Sequence, residues 1–419
     1  MTKKSEKEST KRLTQEELDE IMDRHEALRS GQANGEHAKL ANCDLTGLSL
    51  RGRDMSHTDF TGAILLEANF EKAKLDFCIF FASDLRKANL RDASLVRADL
   101  RGACLRGAIM AGADLSGADL REGKFATYDP EKGLSFYHEK EAWSGGSGNV
   151  DLRGANLDSV KMASAIATNS DFSEANLAKA KIVHGNLSGT NLSGANLAGA
   201  DLSSCDLRDI NMQHANLSGT LINYSELVNV DLTGVLTDQP SGQTLKQHIV
   251  PFEERLKQHH LWLKSKGAEG KRLNLNGYDL RGSSFGGIDL TMMIAENAIF
   301  YGLDMSHVNM QVAQLKGSDL RNCNFFSADL RGSDFSKTKV VGAKMCYARF
   351  QPLVLDDKRL LKTDFSGALL RYIDFTKADL RQVNFTGADL SCADLTGADT
   401  TGAIFDQTNL EGVKMDKSV

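Results

Sequence analysis

A large apolar residue stands at every fifth position through most of this 419-residue chain. From Leu45 to Phe125 the fifth residue is always Leu, Met or Phe; the spacing resumes over Leu152–Leu232 and again over Leu275–Met415. The three runs hold 17, 17 and 29 pentads, and among their centres only Ala167, Ala295 and Thr400 are not Leu, Phe, Met, Ile or Val. Two residues before each centre the chain prefers something small, as in Ala98-Asp99-Leu100 and Ala388-Asp389-Leu390. An α-helix returns to one face every 3.6 residues and a strand every 2, so neither can keep a period of five on one side. The pattern requires a solenoid, in which each repeat buries its apolar side against its neighbours.

The tract Ala-Asp-Leu-Ser-Gly-Ala-Asp-Leu at 113–120, and its many relatives along the chain, resemble the pentapeptide repeat family. The resemblance implies an all-β solenoid: a right-handed quadrilateral β-helix with four pentads per coil, each pentad forming one side. The family includes gyrase-interacting DNA mimics and secreted effectors, so it implies a fold more firmly than a function.

Composition narrows the classes. The hydrophobic fraction of 41% is concentrated in two of every five positions, which supplies a core without metal or disulfide. Cys43, Cys78, Cys205 and Cys323 fall two before a centre and read as substitutes for the small inward residue. Cys104, Cys346 and Cys392 fall on outward positions without metal-ligand or framework spacing, so free thiols in a reducing compartment are expected. The charged start Met1-Thr2-Lys3-Lys4 has no apolar signal region, no stretch approaches a membrane span, and a cytoplasmic protein is expected. Acids and bases balance over 41–125 and over 271–419, while 150–235 carries −4. Triplets such as Asp84-Leu85-Arg86 and Asp379-Leu380-Arg381 read as mixed, solvated ladders, not as the acidic face of a DNA mimic or a basic nucleic-acid footprint.

Residues 1–12 read as a disordered polar tail. Over 13–235 we expect a capping helix and a β-helix interrupted by a loop at 126–149; over 236–419, a linker, a second capping helix at about 251–266 and a second β-helix with a loop near 351–362. Thr14 and Glu17 form a capping box beside a Leu13/Leu18 staple. The two helical regions align at an offset of 235, matching His25 with His260, Leu28 with Leu263 and Gly35 with Gly270, which reads as an internal duplication. These histidines and leucines are expected to be structural, and Trp262 a core plug. Pro352 and an inward-register Lys358 argue for the second loop, since a charge cannot sit unpaired in an apolar lumen. With 20-residue coils and no such loop, the centres 285, 305, 325, 345, 365, 385 and 405 would stack as one column of Phe and Met.

No catalytic constellation stands out. His138-Glu139 lacks a second His four residues on, and Gly145-Gly146-Ser147-Gly148 lacks the Lys-Ser/Thr of a phosphate loop. No enzyme, cofactor or metal is expected. The loop at 126–149 gathers Tyr128, Phe136, Tyr137 and Trp143, which either fold back on the wall or meet a partner. The leading expectation is a scaffold or interaction module for a protein partner, with no direct nucleic-acid or membrane contact. A gyrase- or topoisomerase-binding DNA mimic and an exported effector are the alternatives. The bare last coil suits a homodimer formed end to end.

Overall fold

The computed structural model describes residues 11–31, 35–105, 108–120, 126–129, 133–136, 150–223, 227–356 and 359–416. It divides into two compact units, Met1–Asp238 and Gln239–Val419. In both, each pentad is one turn followed by one bridging residue. The carbonyl of a centre accepts the N–H three residues on, as from Ala63 to Phe60 (2.9 Å) and from Ala388 to Phe385 (2.9 Å). The residue two after the centre takes positive φ, as at Gly47 (72°) and Ala82 (55°), which explains why glycine recurs there. The residue before the centre then pairs in parallel with the residue 20 further on, for example Asp44 with Ile64 and Asp379 with Asp399. Four pentads therefore make one coil. The walls are columns of single-residue bridges, not long strands, because only a short extended step separates one turn from the next.

The same geometry explains the Asp or Asn before so many centres. Its side-chain oxygen accepts the N–H two residues on, as from Thr46 to Asp44 Oδ1 (2.9 Å) and from Ser366 to Asp364 Oδ1 (2.9 Å). This satisfies an amide that the coil-to-coil ladder does not use. On one wall of the first unit the amides also join coil to coil: Asn176 donates to Asn156 (2.9 Å), Asn196 to Asn176 (2.9 Å) and Asn216 to Asn196 (3.0 Å).

Centres and the small residues two before them face inward and form one buried cluster per unit. Polar residues at the small position bond either to the preceding coil, as Cys78 donates to the Met55 carbonyl and Ser333 to the Met310 carbonyl, or within their own turn, as Ser83 donates to the Phe80 carbonyl. Burial pushes the Cys78 thiol up to about 12, which makes it inert. Positive φ is costly for a β-branched residue, and Val312 adopts 57°. Replacing it with Asn, which tolerates this conformation, should raise stability by roughly 1 kcal/mol; the urea midpoint of the second unit measures it.

Two excursions leave the coils. Ile109 pairs with Asp151, 42 residues on, so the first shifts the phase of the period, as the sequence shows. It contains an antiparallel hairpin, β3 (Ala126–Asp129) with β4 (Gly133–Phe136). At the second, Asp334 pairs with Asp364, 30 residues on. The extra length equals two pentads, so the period runs through it unaltered. Although Leu355 and Leu360 keep the period, both leave the core in the loop expected near 351–362 and are exposed on the hairpin β5 (Leu353–Asp356) and β6 (Arg359–Leu361). Pro352 explains the departure, because it stands where the turn requires positive φ and proline is held near −65°. Lys358 lies outside the described residues.

The same excursion divides the Phe/Met column, shifting its later members by two faces. Lys344 bridges to Asp374, so Phe285, Met305, Phe325 and Met345 continue into Phe375. Phe365 stacks instead on Phe335 (4.6 Å) and on Phe385 (5.6 Å), which stacks on Phe405 (5.3 Å).

Helix α1 (Gln15–Arg29) starts at the Thr14/Glu17 capping box. Leu13, Leu18 and Met22 join the first core. Ahead of it, β1 (Lys11–Arg12) pairs in parallel with β2 (Cys43–Asp44), which corrects the expected disordered tail at its last two residues; residues 1–10 lie outside the described residues. Helix α2 (Phe252–Lys264) rests Phe252 and Leu256 on the second core. The segment ahead of it pairs Gln243 with Tyr278. After each helix the chain folds back along it: Glu36 donates to the Arg24 carbonyl and Lys271 to the Gln258 carbonyl, both at 3.1 Å. Gly270 permits this approach, since a Cβ there would lie 2.2 Å from the Gln258 oxygen.

Candidate functional site

The helix residues singled out in the sequence occupy different environments. His25 is buried, and its Nδ1 accepts the Ala38 N–H (3.2 Å). Its counterpart in the second unit is His259, not the His260 that the alignment pairs with it: His259 is buried, and its Nδ1 accepts the Leu273 N–H (3.1 Å). The helices are out of step by one residue, while the coils that follow keep the offset of 235. His260 is half-buried and places Nε2 3.0 Å from the Asp289 carbonyl. Leu28 and Leu263 are half-buried. Trp262 is not a core plug; it is half-buried between the His259 ring and the Arg272 guanidinium.

On the first excursion, Tyr128 lies opposite Leu134 and Phe136 opposite Ala126 in the hairpin register. Tyr137 and Trp143 lie outside the described residues. The second hairpin is the better defined surface. Leu353 and Leu361 lie against Gly332, whose added Cβ would meet them at 3.0–3.3 Å. Where the chain returns to the wall, the buried Thr363 hydroxyl accepts the Gly332 N–H (2.9 Å) and donates to the Phe350 carbonyl (2.8 Å). Above this fastened base, Val354, Leu355 and Leu360 are 71%, 52% and 49% exposed.

A second exposed group runs along an edge of the same unit. His307 meets Phe326 edge to face (5.6 Å), Phe326 meets Tyr347 (5.6 Å), and the Lys377 ammonium lies 5.4 Å from the Tyr347 ring. In the first unit His57 stacks on Phe77 (5.0 Å), with Arg97 above that ring. The sequence places His57 and His307 on the outer wall, two after a centre, and the period marks Phe77, Phe326 and Tyr347 in the same way: each is a large ring one or two places after a centre, where the side chain points outward.

The walls are electrostatically self-contained. In the Asp-Leu-Arg triplets the arginine folds back on its own aspartate, with Arg101 Nη2 2.6 Å from Asp99 and Arg381 Nη2 2.6 Å from Asp379. Hydrogen bonds from Arg101 hold Asp99 below the usual carboxylate range. Among the described residues, no column of side chains preceding the centres places more than two carboxylates in succession. Among them, too, no group of three His, Cys, Asp or Glu side chains is placed to hold a metal, and no helix is long and apolar enough to cross a membrane.

A family model described as pentapeptide repeats matches eight copies in the chain, over residues 38–76, 83–122, 170–209, 202–236, 313–351 and 363–399. No curated protein matches it. Similar solved structures include QnrB1, a plasmid-mediated fluoroquinolone resistance protein, at 21% identity over 48% of this chain and 83% of that one, with a TM-score of 0.22. Another is HetL, a pentapeptide repeat protein involved in heterocyst differentiation regulation in the cyanobacterium Nostoc sp. strain PCC 7120, at 21% identity over 93% of both chains and a TM-score of 0.11. A pentapeptide repeat protein of the Arabidopsis thaliana thylakoid lumen shares 20% identity over 42% of this chain and 72% of its own, with a TM-score of 0.15. These superpositions are poor, so the assignment stands on the repeat match and on the coils.

Proposed function

The chain belongs to the pentapeptide repeat family, and from that premise we propose that it is a non-enzymatic scaffold that binds a protein partner in the cytoplasm. In this reading each unit is a right-handed quadrilateral β-helix closed at its start by a helical cap, and the two arose by duplication. The hairpin Leu353–Leu361 carries the proposal. Its base is fastened by Leu353, Leu361 and Thr363, while Val354, Leu355 and Leu360 project into solvent. A rigid base under an apolar tip has the make-up of an interface anchor: little conformational freedom is lost on binding and apolar area is removed from water. The excursion at 126–149, with Tyr128, Phe136, Tyr137 and Trp143, is a second contact in the same proposal. Pairing of two copies through the coil bearing the exposed Leu410 and Met415 is a third. Among the described residues a DNA-mimicking role finds no long acidic column to rest on.

The test removes 353–362 together with Pro352→Gly, so that a turn with positive φ rejoins Phe350 to Thr363. Because two pentads are removed, the later coils keep their phase and the fold should survive, as checked by circular dichroism and thermal unfolding. Affinity capture from native lysate should then lose the partner held by the full chain. An unchanged set of captured proteins from a folded variant would refute the hairpin as the contact.

A further inference from the structure

Within the array, the N–H two places before each centre is satisfied by the preceding turn, as Tyr278 donates to the Leu275 carbonyl (3.1 Å). The first pentad of each unit has no preceding turn. At that place the Ala38 and Leu273 N–H groups are taken by the Nδ1 atoms of His25 and His259. Both rings are almost wholly buried. The two units thus fill the same vacancy with the same atom, a ring nitrogen that accepts only while unprotonated. No hydroxyl or amide would respond to pH in this way.

We propose that each helix is an acid-releasable cap: protonation of the buried histidine unlatches it from the first coil and lays bare that coil's ladder edge. This rests on reading the helices as caps. A proton on Nδ1 turns the acceptor into a donor facing another donor and places a cation among apolar side chains. Around His259 the charged and titratable groups are His260 on α2, Arg272 on the returning segment and Asp289 on the fourth pentad of the first coil. The Trp262 ring stacks beside it. Around His25 they are His37, whose ring is 5.9 Å away, and the Asp23 and Glu26 carboxylates, which are held by Arg53 of the first coil. Burial, with a smaller contribution from His260, holds His259 below the ordinary 6.5, against the Thr291 backbone and Asp289. Below that value the released form binds more protons than the latched one. Latching therefore weakens as pH falls, by about tenfold between pH 7.5 and 5.5 if the latched ring stays neutral throughout.

Hydrogen exchange on the full chain tests it. At pH 7.5 the amides of Phe252–Lys264 and of the first coil should be protected; a first coil already exchanging freely would remove the cap reading itself. At pH 5.5, after correction for intrinsic rates, exchange of α2 should rise about tenfold in the wild type and stay level in His259→Gln, which can offer an amide oxygen that does not titrate. Equal protection of the wild type at both pH values, or the same rise in the variant, would overturn the latch. Should the variant release the helix at pH 7.5, NMR titration of the wild-type His259 ring decides. An apparent pKa below 6.5 supports the proposal, and one at or above 6.5 overturns it.

Discussion

Phe365→Ala should cost the second unit about 3–5 kcal/mol, the range for emptying a buried aromatic site. Phe365 is fully buried and lies where four rings converge: Phe335, Phe350, Phe375 and Phe385 have centroids 4.6, 5.5, 6.0 and 5.6 Å away. It is also the first centre after the hairpin, so it joins the coils on either side of the excursion. Solenoid stability is close to a sum of coil energies and nearest-neighbour contacts. A cavity at this joint should therefore uncouple the later coils as well as lower the total. Urea unfolding should show the second unit's transition moving to lower concentration and broadening. Phe365→Leu, which refills most of the volume, should lose roughly 1.5 kcal/mol and keep a single transition.

Asp279→Ala should cost about 3–5 kcal/mol, the range for removing one partner of a buried ion pair. Asp279 is 3% exposed; Arg281 Nη2 lies 2.6 Å from it, and the Ser241 N–H donates to it at 3.0 Å. Arg281 also reaches the Gln239 carbonyl (3.3 Å), so the pair ties the segment ahead of α2 to the first coil. Burial alone would raise the pKa of Asp279, but the hydrogen bonds from Arg281 and Ser241 hold it below the ordinary 3.8. Its contribution is complete above about 3.8 and is lost as pH falls through the lower, folded value. Thermal unfolding of the variant should show the loss at pH 7, with the gap to wild type closing in strong acid. A variant unfolding like the wild type at pH 7 would mean that the segment is held by other contacts.

Much of the architecture was legible because the repeat is local. Inward and outward positions, the free buried thiols and both helices follow from residues at most a few places apart, and the Thr14/Glu17 box marked the start of α1 correctly. The first excursion was legible because it breaks the phase. The second leaves no mark in the period, because an insertion of two pentads preserves the phase. Leu355 and Leu360 kept the period while leaving the core, and the Phe/Met column changed walls with the period unbroken. Pro352 and the inward-register Lys358 were the local signs, and the force of Pro352 comes from the positive φ that the turn imposes.

For the candidate surfaces the balance is reversed. The period shows that Phe326 and Tyr347 point outward, but only stacking of successive coils brings them together with His307 and Lys377. The aligned pair His25 and His260 pointed to the correct helices, but helix packing buries His259 in place of its neighbour. By itself the sequence determined the repeat, the family and, outside the second excursion, the residues that face the core, because a period of five admits one way of burying them. The tertiary structure alone decided which coils lie side by side, which histidine of each helix is buried and which apolar residues remain in water. Those outcomes depend on contacts between residues 20, 30 or 42 places apart, and on where one proline forbids a turn.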